Sequence, residues 1–139
     1  MTLRTARPEE RDELEELQRH ASLEIPEYRD QLIADPEAIH LPLSQVANGQ
    51  VIVAEVDGEI AGFAALVGGE LDGLFVDPDL WGLGIGKALV DAATHQARRK
   101  GFTLRVVANP RARKFYERCG FSVEGEVQTR FGPALRMTK

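Results

Sequence analysis

The spacing of apolar residues divides the chain into a helical beginning, a β-rich middle and a mixed end. Residues 3 to 7 alternate weakly and predict a short first strand, and Pro8 stands where a helix would begin. Glu9 and Glu10 fall in its first turn, where the helix dipole favours negative charge, and Leu14, Leu17 and Ala21 recur at spacings of three and four. A second helix is predicted from Pro26 through Tyr28, Leu32 and Ile33. It should end before Pro36, because the residue preceding a proline is biased out of the helical region. From Asp35 to Leu43 the chain is turn-rich, with prolines at 36 and 42, and follows no period.

From residue 51 the period shortens to two. Val51 to Val56 is rich in β-branched residues, Asp57-Gly58 is a hairpin dipeptide, and Glu59 to Val67 runs back. Gly68-Gly69 turns the chain into a third strand, Glu70 to Val76, whose interior Gly73 signals a bulge or a close backbone approach. After Asp77-Pro78 a glycine-rich segment leads into a long helix with its stripe on Ile85, Ala88, Leu89, Ala92, Ala93 and Ala97. Arg98, Arg99 and Lys100 sit at the negative end of its dipole, and Gly101 stops it. Leu104 to Ala108 completes a strand, helix, parallel strand unit with a right-handed crossover. A last helix is predicted from Asn109-Pro110 to Cys119, with Gly120 as its stop. Phe121, Val123 and Val127 then alternate with polar residues as a strand with one wet face, and Ala134 to Met137 returns after a turn.

Length and charge narrow what such a chain does. Its 139 residues suit one domain, residues 1–139. A net charge of -5 and a sequence pI near 5.2 oppose non-specific affinity for nucleic acid or an anionic membrane. That charge is unevenly divided: residues 1–79 hold 18 acidic and 5 basic side chains, residues 80–139 hold 4 and 12. The lone Cys119 reads as a small buried apolar residue, and with no partner for a disulfide the expected compartment is the reducing cytoplasm. The charged N-terminus has no signal-peptide core, and the longest apolar run, Ile60 to Val67, is far short of a membrane span. His20, His40 and His95 fit no metal-binding spacing, so no metal is expected. Oligomeric state stays open, and a homodimer is compatible with all of this.

The segment richest in chemistry is W-G-L-G-I-G-K, Trp81 to Lys87, between a strand end and a helix start. Alternating glycines let main-chain N–H groups approach a ligand, and the first turn of a helix leaves its N–H groups unpaired, an arrangement suited to phosphate. A plain glycine-rich turn is the competing account. Trp81 stands where a Walker loop needs glycine and Ala88 where it needs Ser or Thr, so a nucleoside triphosphatase is excluded. The dinucleotide fingerprint fits poorly, because Lys87 takes the place of its third glycine and the next strand ends in Ala108-Asn109 without an acidic residue.

Three segments together, L-D-G-L-F-V-D-P, W-G-L-G-I-G-K and N-P-R-A-R-K-F-Y-E-R-C-G-F, resemble the acetyl-CoA-binding core of the GNAT superfamily of N-acetyltransferases. The resemblance runs from Leu71 to Phe121. It departs from the family pattern at Trp81, which stands where Gln or Arg is usual. Main-chain groups are untouched by that change, and Trp81 reads as a packing residue beside the cofactor.

The resemblance implies an α/β (α+β) fold with a mixed, mostly antiparallel sheet, helices on both faces and a splayed pair of parallel strands. It implies transfer of an acetyl group from acetyl-CoA, as co-substrate, to a primary amine on a small molecule or peptide, by direct attack in a ternary complex. The cofactor's pantetheine arm would pair with Leu74, Phe75 and Val76, and its pyrophosphate with the backbone of Gly82, Leu83, Gly84, Ile85, Gly86 and Lys87. Asn109 would hold the arm or cap the helix before Pro110. Tyr116 matches the general acid that protonates the leaving thiolate. Glu70 occupies a position some members use for the base, a role that also falls to other residues or to water. Arg111, Arg113 and Lys114 are a charged helix face that could also meet phosphates. Glu24, Tyr28, His40, Arg130 and Phe131 come from segments lining the acceptor side in the family. A catalytically silent acyl-CoA-binding module on the same scaffold is the alternative.

Overall fold

A computed structural model describes residues 1–139. Its centre is the hairpin of β2 (Val51–Val56) and β3 (Glu59–Val67), closed by Asp57 at φ 54° and Gly58 at φ 80°. Both turn residues lie in the left-handed region that a two-residue hairpin turn with right-twisting strands demands. Successive residues of the pair face opposite sides: Ile52, Ala54, Ala64 and Leu66 enter one core, and Val51, Val53, Phe63 and Ala65 another. Burial on both faces explains why these strands read as near-continuous apolar runs.

Around the hairpin the sheet has the order β1-β2-β3-β4-β5-β7-β6, with β1 Thr2–Thr5, β4 Glu70–Val76, β5 Arg105–Ala108, β6 Ser122–Thr129 and β7 Gly132–Thr138. Every neighbouring pair is antiparallel except β4 and β5. On the first face lies α4 (Ile85–Arg99), which buries Ile85, Leu89, Val90, Ala93 and Ala97. Beside it, α5 (Arg113–Arg118) contributes Tyr116 and is followed by Cys119 in the same core. The opposite face is covered by Leu14 of α1 (Arg11–Leu23), Leu41 and Val46 of α3 (Leu43–Ala47), with α2 (Pro26–Ala34) packed on α1. The expected mixed sheet with helices on both faces is therefore present.

The differences from the sequence reading are local. The first strand stops at Thr5, and Pro8–Glu10 forms a single 3-10 turn before α1. Proline placement produces the same 3-10 start at Pro110–Ala112, which shortens the last helix to Arg113–Arg118. The unassigned stretch contains a 3-10 turn, Pro36–Ala38, and is followed by the short α3, whose five residues are too few to display a period. In β6 the register shifts between Val123 and Gly125 and Val123 packs on the first core, while exposure still alternates as expected, with Val123 and Val127 half-buried and Ser122, Glu124, Glu126 and Gln128 exposed. No helix is long and apolar enough to cross a membrane.

Arg4 of β1 ties three elements together. Its Nε donates to Glu55 of β2 at 2.6 Å, and its two terminal nitrogens donate to Glu10, ahead of α1, at 2.8 and 2.7 Å. Glu10 also accepts the Arg7 main-chain N–H at 2.8 Å, and Arg4 first, then that N–H, hold its carboxyl down to about 2 against the opposing effect of burial. Arg4→Met should therefore cost about 2 kcal/mol in a denaturant titration, because two carboxylates lose a charged donor. The carboxyl of Glu10 is depressed in the folded state, so its contribution is complete above the ordinary carboxylate range and is lost as pH falls toward 2. Stability of the native protein should decline over that window, and the decline should be shallower in Arg4→Met.

Candidate functional site: the cleft where two parallel strands part

The parallel strands β4 and β5 pair at Glu70 with Arg105 and Leu71 with Val106, and no further. A register shift in the β3–β4 ladder falls at this point: Ala65 faces Gly73 and Leu66 faces Leu71, which leaves Asp72 as an extra residue. The bulge expected at Gly73 thus takes in its neighbour as well. Beyond it, β4 continues to Val76 along β3, while the far side of β5 is held by β7. The Asp77 N–H bonds Ala61, so by the two-residue alternation Leu74 and Val76 turn their N–H and C=O groups away from β3, into the gap.

That gap opens into a cavity of about 720 Å³ bordered by Leu74, Phe75, Val76, Asn109 and Tyr116. At one end stands the N-terminus of α4. Gly84 is its N-cap at φ 86°, a conformation open to glycine without strain, and neither a capping side chain nor an acidic residue in the first turn occupies the free N–H groups. Gly86 serves a different need: a Cβ there would lie 3.2 Å from the Phe115 ring, so its absence lets α5 pack against the start of α4. Gly82, Gly84, Ile85, Gly86 and Lys87 border the cavity; Leu83 points outward and is 68% exposed. Lys87 is not a free charge, since its Nζ donates to Asp91 at 2.9 Å, one helical turn on.

Trp81 differs from its expected packing role. It is 51% exposed, borders the cavity, and its indole Nε1–H donates to the Val76 carbonyl at 2.8 Å. It thereby fastens the glycine loop to the open edge of β4. Asn109 has both hands engaged: its Oδ1 accepts the Arg111 N–H at 2.8 Å as a cap, and its Nδ2 donates to the Tyr28 hydroxyl at 3.2 Å. Tyr116 is buried between the Phe115 and Phe121 rings, each edge-on at 5.0 and 5.3 Å. Burial, above all, raises the pKa of its phenol well beyond the usual tyrosine range. Burial likewise pushes the Cys119 thiol up, and nearby Asp91 adds to the shift, so Cys119 is held as a neutral, core-packed thiol.

Of the five residues expected on the acceptor side, Tyr28 and Phe131 border the cavity, their rings 4.8 Å apart. Glu24, His40 and Arg130 do not border it: His40 sits by Arg11 and Glu15, and Arg130 pairs with Asp35 at 3.1 Å. Arg111 is bound to Glu27 at 2.6 Å and Arg113 to Glu117 at 3.5 Å, which fits the charged-face account of that helix. Of the two β4 carboxylates, Asp72 borders the cavity and Glu70 does not. The signal that could have found Asp72 was Gly73 itself, since a bulge adds one residue and re-aims its neighbour.

The cleft thus joins an open strand edge to an uncapped helix N-terminus. The model of the Acetyltransferase (GNAT) family matches residues 10–121, and the chain belongs to that family. It is 32% identical over 133 residues to a 5-NmdU N-acetyltransferase of Pseudomonas phage PaMx11, covering 91% of this chain and 90% of that protein. To the peptidyl-lysine N-acetyltransferase YjaB of Salmonella typhimurium it is 45% identical over 76 residues, 54% of this chain and 50% of that one, so the match spans half of the relative. Among solved structures, a GCN5-related N-acetyltransferase from Rhodopseudomonas palustris superposes with a TM-score of 0.78 at 28% identity, over 99% of this chain and 94% of that one.

The buried phenol has a direct spectroscopic test. In a Tyr28→Phe variant, Tyr116 is the remaining tyrosine, and the folded protein should show no tyrosinate absorbance on titration through pH 10–11. The unfolded chain ionises there and the folded one does not, so stability should fall as pH rises through that range.

Proposed function

We propose that the protein is an N-acetyltransferase that passes the acetyl group of acetyl-CoA to a primary amine by direct attack in a ternary complex. The observation that carries this reading is the continuity of the cleft, from the free strand edge at Leu74–Val76 to the uncapped start of α4, with Tyr116 on its wall. Membership in the family supports the acyl donor. Relatives named for acetylating peptidyl-lysine and 5-NmdU support an amine acceptor, small or peptidic.

Acetyl-CoA supplies an activated thioester. Main-chain N–H groups from Gly82 to Lys87 hold its pyrophosphate, aided by the helix dipole. Leu74 offers a main-chain donor and acceptor and Val76 a main-chain N–H, its carbonyl being taken by Trp81, and an amide-bearing arm adds to this edge as a strand would. An N–H on that edge stabilises negative charge developing on the carbonyl oxygen. As the amine nitrogen bonds the carbonyl carbon and the C–S bond breaks, Tyr116 donates a proton to the departing thiolate, and the proton lost by the nitrogen passes to water, from which the phenol is restored. The burial that raises the phenol also raises a thiol nearby, as Cys119 shows, so donor and acceptor shift in the same direction. Asn109 keeps the α5 end of the cleft in register through its cap and its bond to Tyr28. Trp81 fixes the spacing between the loop that holds phosphate and the edge that holds the arm.

Acetyl-CoA, and neither NADH nor ATP, should raise the melting temperature, and thiol release should require an amine. Tyr116→Phe should lower kcat by about 10²-fold or more while the acetyl-CoA KM stays within about twofold; an unchanged kcat would remove Tyr116 from the mechanism. Trp81→Phe keeps an aromatic ring and deletes one donor. It should raise the acetyl-CoA KM about fivefold, the worth of a ~1 kcal/mol hydrogen bond, with kcat preserved. A kcat loss without a change in KM would show that the indole does something other than set the loop.

A further inference from the structure

We propose that the acceptor half of the cleft selects an ammonium group at the tip of a slender, otherwise uncharged arm, and that Asp72 is the counter-charge that receives it. This rests on the acetyl-transfer reading of the other half and adds the acceptor's chemistry to it.

Position comes first. Along β4, Val76 lies nearest the glycine loop and Gly73 and Asp72 lie at the point where β4 and β5 close together. An arm anchored at the α4 N-terminus and paired with Val76 and then Leu74 runs toward that point, so its reactive end arrives beside the bulge. The bulge is what aims the Asp72 carboxylate there. Asp72 borders the cavity and is steadied by Gln45 of α3, whose Nε2 donates to Oδ2 at 3.2 Å.

Charge comes second. Asp72 is the only carboxylate bordering the cavity. The two cations that border it, Lys87 and Arg118, come from α4 and α5, on the side assigned to the acyl donor. At the acceptor rim, Arg111 and Arg130 are committed to Glu27 and Asp35. The acceptor side is otherwise walled by Ala21, Ile25, Ile39 and Phe131, with Gln18, Ser22 and the Tyr28 hydroxyl as its uncharged polar groups.

Such a pocket discriminates by what it leaves unpaired. An ammonium meets one carboxylate, and an alkyl or aryl arm meets apolar walls. A free α-amino acid would bring a negative charge beside the exposed Asp72 carboxylate with no cation on that side to receive it, and like charges held close repel. A polyamine would bring further positive charges to walls holding no further carboxylate. Specificity here is rejection as much as attraction.

The test is a thiol-release assay with acetyl-CoA at saturation and four amines: butylamine, Nα-acetyl-lysine methylamide, free alanine and spermidine. The first two should show kcat/KM at least about tenfold above the last two, about 1.4 kcal/mol of discrimination. Asp72→Asn, nearly isosteric, should raise the KM for butylamine about tenfold or more and leave the acetyl-CoA melting shift unchanged, and Asp72→Glu should recover part of the loss. The unchanged melting shift separates acceptor binding from a general structural effect. Equal KM in Asp72→Asn and the native protein would overturn the proposal, as would preference for alanine or spermidine. A loss confined to Glu70→Gln would do the same by moving the role to Glu70. If acetyl-CoA stabilises the native protein and the lysine derivative reacts, while Asp72→Asn behaves normally, only this inference fails. If no amine releases thiol, the acetyl-transfer reading fails with it.

Discussion

The parting of β4 from β5 after two residue pairs is the constraint on which the remaining structure depends. A sheet interrupted in its interior leaves main-chain groups without partners, and such groups are costly unless a ligand or neighbour satisfies them. The interruption persists because each strand is held from its outer side, β4 by β3 and β5 by β7, while Leu71 and Val106 remain in one core with α4. An inserted residue at Asp72 breaks the ladder next to the point where the strands separate. One bulge therefore accounts for the open edge and for the carboxylate at its closed end.

What fills the rest of the cleft follows from packing on one face. Both α4 and α5 lie on the same side of the sheet, and the missing side chain at Gly86 lets Phe115 approach the first turn of α4. Tyr116, the next residue, is thereby set between Phe115 and Phe121 with access to the cavity. The helix N-terminus, the open strand edge and the phenol are brought together by local geometry, so a short glycine-rich motif and a short aromatic one define most of the site.

This locality explains what the sequence made legible. Period and turn residues located β2 to β5, α4 and the crossover, because each signal lies within a few residues of what it specifies. The motif blocks picked out residues that border the cavity, Gly82 to Lys87 apart from the outward-pointing Leu83, with Asn109 and Tyr116, for the same reason. Long-range partners were not legible: nothing near Trp81 announces Val76 as its acceptor, and nothing near Asn109 or Arg111 announces Tyr28 or Glu27, more than eighty residues earlier. The Lys87 ammonium is paired because one helical turn places Asp91 beside it. That Asp72 and not Glu70 borders the cavity follows a one-residue register shift, which hydrophobic alternation alone cannot resolve when a glycine interrupts it.

The opposed charges of the two chain halves take on a structural meaning in the cleft. The acidic half contributes Glu27 at the start of α2 and Asp35 just past its end, and the basic half contributes Arg111 and Arg130, so ion pairs anchor the helix at both ends. Between them the Tyr28 ring meets the Phe131 ring at a tilt and the Tyr28 hydroxyl accepts from Asn109, while Leu32 is the only buried residue of α2. Exposed ion pairs contribute about 0–1 kcal/mol each, and salt screens them. A helix secured mainly by such contacts costs little to displace compared with α4, whose apolar stripe is sunk in the main core. The charge division thus secures α2 by contacts that cost less to break than the apolar burial that secures α4.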